Sequence, residues 1–345
     1  MLTERQKRIL WAICEDYIES AEPVGSRSVS KKNDVGFSAA TVRNEMADLE
    51  EMGFLEQPHT SAGRIPSQQG YRFYVDHLLT PRIWGDEEIH AIHNLFPKDT
   101  THIEQAIEHT SELLSQLTNY TSVVIGPNLQ EHRLRHLQMI PLTEHSAVFI
   151  IVTDLGHVNQ QRVLLPEGMS ISVMERLVNL LNKRLQGISV SKLRLVVERD
   201  LADELTRYVA EYGSMMFLLD QMLAPQQENR IYTSGTTKML DQPEFRDLHK
   251  MKSLLDLLDG KNQSIIQLLN SSSPSNGVQV KIGNEISIEG ANHISLIIAS
   301  FTLDSESIGA IGVLGPTRME YAKVIGLMDV ISKDISKRLT ELYEK

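Results

Sequence analysis

A single cysteine, Cys14, stands in 345 residues, so no disulfide can form within the chain. It falls on the apolar side of the first helical pattern, where a thiol serves as a small core residue. Positive charge is also short. Lys and Arg number 34 against 45 Asp and Glu, a formal charge of −11 with a pI near 5.6. That balance excludes a polybasic coat for nucleic acid and leaves room for a local basic face. Apolar runs such as Val148-Phe149-Ile150-Ile151-Val152 fall far short of the about twenty residues that span a bilayer. The opening MLTERQKRI carries no apolar signal core, so a cytoplasmic protein without a membrane partner is expected. Catalytic frames are missing as well: there is no G-x-S-x-G elbow, and no G-x-G-x-x-G or Walker loop follows a strand.

What the chain does have is concentrated in residues 22–77. Ser38 followed by AATVRNEMADLEEMG is a helix start, its hydroxyl placed to accept a first-turn amide. Gly53 supplies the stop. Val42, Met46 and Leu49 line one face at helical spacing and should be buried. The opposite face carries Ala40, Arg43, Asn44 and Ala47, with Thr41 and Asp48 on its flank. Arg and Asn can form paired hydrogen bonds to guanine and adenine edges, and the alanines let a helix sit deep in a groove. Ala40, Thr41, Arg43, Asn44 and Ala47 are therefore the candidate base-reading residues.

The flanks agree with that reading. Ser26-Arg27-Ser28-Val29-Ser30-Lys31-Lys32 is a short helix with donors suited to phosphates. Phe54–Gln57 and Arg64-Ile65 pattern as two strands of a small hairpin with a polar tip at 59–63. Helix, helix, recognition helix and hairpin is the order of a winged helix-turn-helix. Ser26, Arg27, Lys31, Lys32, Ser38, His59, Ser61 and Arg64 are the candidate phosphate and wing contacts.

Thr3 can cap a first helix running to Ser20, and a further helix starts at Ser67. Pro81 and Gly85 mark a hinge after residue 80. A long amphipathic helix is expected over 99–119. Strands follow at 122–125, 134–141, 147–153 and 157–164, with helices at 170–185, 201–223 and 244–269. Strands at 278–282, 294–301 and 308–314 precede a last helix reaching Tyr343. At this length two or three domains are expected.

Two motifs point elsewhere and are set aside. Tyr232-Thr233-Ser234-Gly235-Thr236-Thr237 resembles the phosphate loop of adenylate-forming enzymes, but Lys238-Met239-Leu240-Asp241 breaks that continuation. It reads as a strand and turn in an insertion. His90/His93 lacks a third ligand, and His132/His136 falls on an expected strand, where i and i+4 lie two pleats apart. No enzyme activity, cofactor or metal is expected.

The segments PVGSRSVSKK and FSAATVRNEMADLEEMGFLEQPHTSAGRIPSQQGYRFYVD resemble the N-terminal signature of the HrcA family, bacterial heat-inducible transcription repressors. YTSGTTKML, KIGNE and GAIGVLGPTRMEY follow in that family's order, so the likeness spans the chain. It implies an α+β multidomain fold: a winged helix-turn-helix at 1–80, and a GAF-like domain at 86–167 and 246–345. A mostly helical dimerisation domain is then inserted at 168–245. It further implies a homodimer on an inverted-repeat DNA operator upstream of chaperone operons, repressing transcription, with activity modulated by the GroE chaperonin. The alternative is a regulator that senses a small molecule through the GAF-like domain.

Overall fold

The structure is a computed structural model describing residues 2–59, 63–96, 103–126, 133–154, 156, 158–165, 170–201, 217, 220–221, 231–258, 263–271, 277–288, 290–303 and 306–343. Helix α1 (Glu4–Ser20) opens with a capping box. Gln6 N donates to Thr3 Oγ1 at 3.3 Å and Thr3 N donates to Gln6 Oε1 at 3.0 Å, which satisfies two orphan amides at once. Ala21 ends it in the left-handed region at φ 56°. The short α2 (Ser26–Ser30) leads to α3 (Ala39–Glu51), capped by Ser38 and stopped at Gly53, φ 82°. Strands β1 (Leu55–Glu56) and β2 (Ile65–Pro66) pair antiparallel. Helix α4 (Gln68–Phe73), capped by Ser67, runs on into a π turn over Tyr74–Leu78.

Ile9, Leu10, Ile13, Val42, Leu49 and Tyr71 are buried among these helices. Each such side chain contributes about 1.5–3 kcal/mol, against about 0–1 kcal/mol for an exposed ion pair, so burial holds the bundle together. Cys14 lies in the same core, and burial pushes its thiol pKa well up. Backbone closeness sets one further constraint. Val24 and Arg64 exchange two main-chain hydrogen bonds of 2.9 Å, and a Cβ on Gly63 would overlap the Val24 carbonyl. Gly63→Ala should therefore destabilise the N-terminal helices by about 1–3 kcal/mol through overpacking. A thermal melt checks this, and an unchanged Tm would show that the ribbon can shift without cost.

Of the hinge expected over 80–86, residues 80–85 form an extended strap. Arg82 N donates to the Ala322 carbonyl at 3.0 Å, and the Arg82 guanidinium stacks 4.2 Å over the Trp84 ring. Helices α5 (Asp86–Leu95) and α6 (Ile103–Thr118) follow, then β3 (Thr121–Ile125).

The chain next builds a separate compact unit over Pro127–Asn229. Strands β4 (Leu134–Thr143), β5 (Ser146–Thr153) and β6 (Val158–Leu164) form an antiparallel sheet in that order. Helix α7 (Ile171–Leu185) lays Met174, Leu177 and Leu181 into a core with Leu137, Phe149 and Val163. The Asn182 side chain accepts from Leu137 N and donates to Leu137 O, both at 2.6 Å, stapling helix to strand. Helix α8 (Val190–Val196) runs on into a π turn over Val197–Leu201. Most of the helix expected at 201–223 lies outside the described residues.

Strand β7 (Ile231–Ser234) returns to pair antiparallel with β3. Helices α9 (Thr236–Leu240), α10 (Leu248–Leu258) and α11 (Gln263–Ser271) follow, then β8 (Gln279–Ile282), β9 (Ile294–Leu303), β10 (Glu306–Pro316) and α12 (Tyr321–Tyr343). The sheet order is β7-β3-β10-β9-β8, antiparallel throughout. Leu254, Leu257 and Leu269 cover one face through Val123, Leu296 and Ile298, while α6 and α12 pack on the other. Strand β9 is thus buried on both sides, which is why ISLIIASF is continuously apolar.

Two expected boundaries are corrected. The interruption runs 127–229, not 168–245, and strands 134–164 belong to it rather than to the first part of the main domain. Alternation shows that a segment is a strand but not which sheet it joins. Here pairing decides: β4 pairs with β5 and β5 with β6, whereas β3 pairs with β7 and β10. For the same reason Tyr232–Ser234, a strand as expected, is an edge strand of the five-stranded sheet and not part of the insertion. Its Gly235 takes φ 75° against Ser115, and Lys238 Nζ donates to Ser115 O at 2.7 Å. The residues of that motif hold the last turns of α6.

Candidate nucleic-acid interface

Helix α3 divides as its period requires. Val42, Met46 and Leu49 point inward, while Ala40, Arg43, Asn44, Ala47 and Asp48 are exposed and Thr41 is half-buried. The polar face is thus open along its length. Ser38 accepts from Thr41 N at 3.2 Å, and the two hydroxyls lie 2.9 Å apart. Ser38 is consequently a cap first, and the Thr41 hydroxyl already has a partner, though a hydroxyl can share with a second.

Sequence reasoning missed Glu45. It is only 7% exposed and its carboxylate meets Arg5 of α1 at 2.6 Å, with Arg5 6.0 Å from the Phe37 ring. Glu45 adjoins Met46 on the inward side, which was visible in the helical period; its cation, forty residues upstream, was not. A buried carboxylate needs such a partner, so this pair fixes α3 against α1.

The cations separate into two groups. Arg27 and Lys31 are exposed beside α3, and Ser26 is half-buried. Lys32, expected at phosphate, instead pairs with Asp16 of α1 and reaches the Ala12 carbonyl at 3.5 Å. Asp16 also accepts from Ser28 Oγ at 3.4 Å. Arg64, expected on the wing, turns back to Glu50, both Nε and an Nη atom lying 2.8 Å from one carboxylate oxygen. Both pairings have one cause. Asp16 and Glu50 lie near these cations in space, and a half-buried cation takes the nearest carboxylate before a distant anion. Arg64 also neutralises part of the acidic end of α3. His59 is exposed, and Ser61 lies outside the described residues.

These features define the class: a mixed α+β protein whose N-terminal helices present an open polar helix face flanked by exposed cations. The C-terminal domain model of HrcA proteins matches residues 104–325. A heat-inducible transcription repressor HrcA of Halalkalibacterium halodurans is 47% identical over 345 residues, covering 100% of both chains. One of Brevibacillus brevis is 46% identical with the same coverage. Among solved structures, the crystal structure of a hypothetical protein matches with TM-score 0.67 at 24% identity, over 99% of this chain and 100% of that one, a likeness of fold. The chain belongs to the HrcA family. Among the described residues, no helix is long and apolar enough to cross a membrane.

Proposed function

We propose that this protein is a cytoplasmic repressor of chaperone operons that binds an inverted-repeat DNA operator as a homodimer. The single observation that carries the reading is the open face of α3, with Arg43 and Asn44 exposed between two alanines and Arg27 and Lys31 beside them. Helices α1 to α3 and the β1–β2 ribbon act as a winged helix-turn-helix, α3 entering the major groove. Arg43 and Asn44 read base edges, Ala40, Thr41 and Ala47 shape the approach, and Ser26, Arg27, Lys31 and His59 meet the backbone. Lys32, Ser38 and Arg64 hold the module in shape instead. Unit 127–229 serves as the dimerisation domain and the five-stranded domain as a GAF-like core.

Two related α3 helices require a symmetric site, since protein symmetry is mirrored in the operator. A mobility-shift titration on a chaperone-promoter inverted repeat and on its scrambled duplex tests this. Preference for the repeat should be about a thousandfold or more at physiological salt; equal affinity would refute sequence-specific binding. GroE chaperonin raises the folded, DNA-competent fraction by mass action on a marginally stable protein. Added chaperonin should therefore increase operator binding after mild heating. Full activity with no chaperonin response would leave direct thermal unfolding as the control.

A further inference from the structure

Helix α4 and the end of α1 are fastened to the five-stranded domain by groups unrelated to the reading face. Both ends of the Gln68 amide are used: Nε2 donates to the Asn292 carbonyl at 2.7 Å and Oε1 accepts from Asn284 N at 3.0 Å. Arg72 donates to the Val280 carbonyl at 2.9 Å and to Glu285 at 3.0 Å. The Tyr71 and Tyr321 rings lie 5.9 Å apart between them. Gly283, at φ 52°, permits the approach, because a Cβ there would overlap the Gln68 amide.

Arg318 makes the longest reach. Only 8% exposed, it pairs with Glu244, donates to Gln242 Oε1 at 3.1 Å and donates to the Ile18 carbonyl at 3.2 Å. That carbonyl belongs to the last turn of α1, where helices leave acceptors unsatisfied and favour a cation. A planar fork with five donors can bind three groups on two separate segments at once in a fixed geometry. The Arg5–Glu45 pair then carries the orientation of α1 to α3.

We propose that Arg318, Gln68 and Arg72 are positioning residues that hold the reading helix at a fixed angle on the five-stranded domain, and so set the operator half-site spacing the dimer accepts. The alternative sense, a contact that masks the DNA face, is disfavoured by the geometry: with this docking made, Arg43 and Asn44 remain exposed. The inference rests on the reading of α3 proposed above.

The test uses the full chain and two independent variants. Arg318→Met removes the fork. Gly283→Ala displaces Gln68 without stranding a charge, and decides the matter if Arg318→Met fails to fold. Spin labels at Glu19→Cys and Lys337→Cys, in a Cys14→Ala background diluted with unlabelled chain, report the distance between the two parts. Both variants should broaden that distance distribution. They should also weaken binding to the native operator about tenfold or more, because rigid two-site engagement is lost. Inserting about five base pairs, half a turn, between the half-sites should penalise the wild type heavily and the variants little. Affinity for an isolated half-site should stay unchanged. An unaltered label distance in both variants, retained spacing discrimination, or increased operator affinity would each overturn the proposal. Should the wild type show no operator preference at all, the DNA reading falls, and the label distances still decide whether the docking residues hold the two parts together.

Discussion

Arg43→Ala should cost the proposed dimer about 2–6 kcal/mol of operator affinity, two lost base contacts at about 1–3 kcal/mol each. Fold and melting temperature should be untouched, because Arg43 is exposed while the inward face of α3 is made by Val42, Glu45, Met46 and Leu49. Affinity for scrambled duplex should fall only slightly, since most of that binding comes from phosphate charge. Lys31→Ala is the complementary variant. Its loss should weaken all duplexes about equally and reduce the salt slope by about one per site. Competition titrations at several salt concentrations separate the two. Equal losses for both variants on both duplexes would remove Arg43 from base reading.

Phe149→Ala should have the other large effect, by a different route. Phe149 is fully buried in the core of unit 127–229, and truncating such a ring costs about 3–5 kcal/mol. A unit of this size has about 5–15 kcal/mol in total, so the variant removes a large share of its stability. The other unit keeps its own core around Leu254, Leu296 and Ile298. Calorimetry should show one transition moved sharply down and the other retained. If unit 127–229 joins the protomers, sedimentation should show monomer, and operator affinity should drop by about 10²–10⁴ as the second half-site contact is lost. A variant that stays dimeric with that unit unfolded would move the dimer contact elsewhere.

These two predictions also mark where the sequence was legible. The open polar face of α3 followed from the 3.6 period and the Ser38 cap alone, because α3 is an ordinary amphipathic helix with strong end signals. The strands were equally plain, since alternation and apolar runs are local properties. Sheet membership was not local. Nothing within Leu134–Thr143 says that its neighbour is β5 rather than β3, and the interruption was therefore placed forty residues late. Pairings across distance were hidden for the same reason: Arg5 with Glu45, Lys32 with Asp16 and Arg64 with Glu50. Each cation looked like a free basic group until the fold brought a carboxylate to it. Gly283 and Gly326 show the converse. Their lack of a side chain has no evident local reason, and both prove to lie under a segment from the N-terminal part, Gln68 and Arg82 respectively.

The most direct test is a base-resolution protection map of the full-length protein on a chaperone-operon promoter. The account predicts two protected major-groove patches related by a dyad, each lost selectively with Arg43→Ala. Protection confined to one groove face without symmetry, or a symmetric footprint indifferent to Arg43 and Asn44, would contradict it.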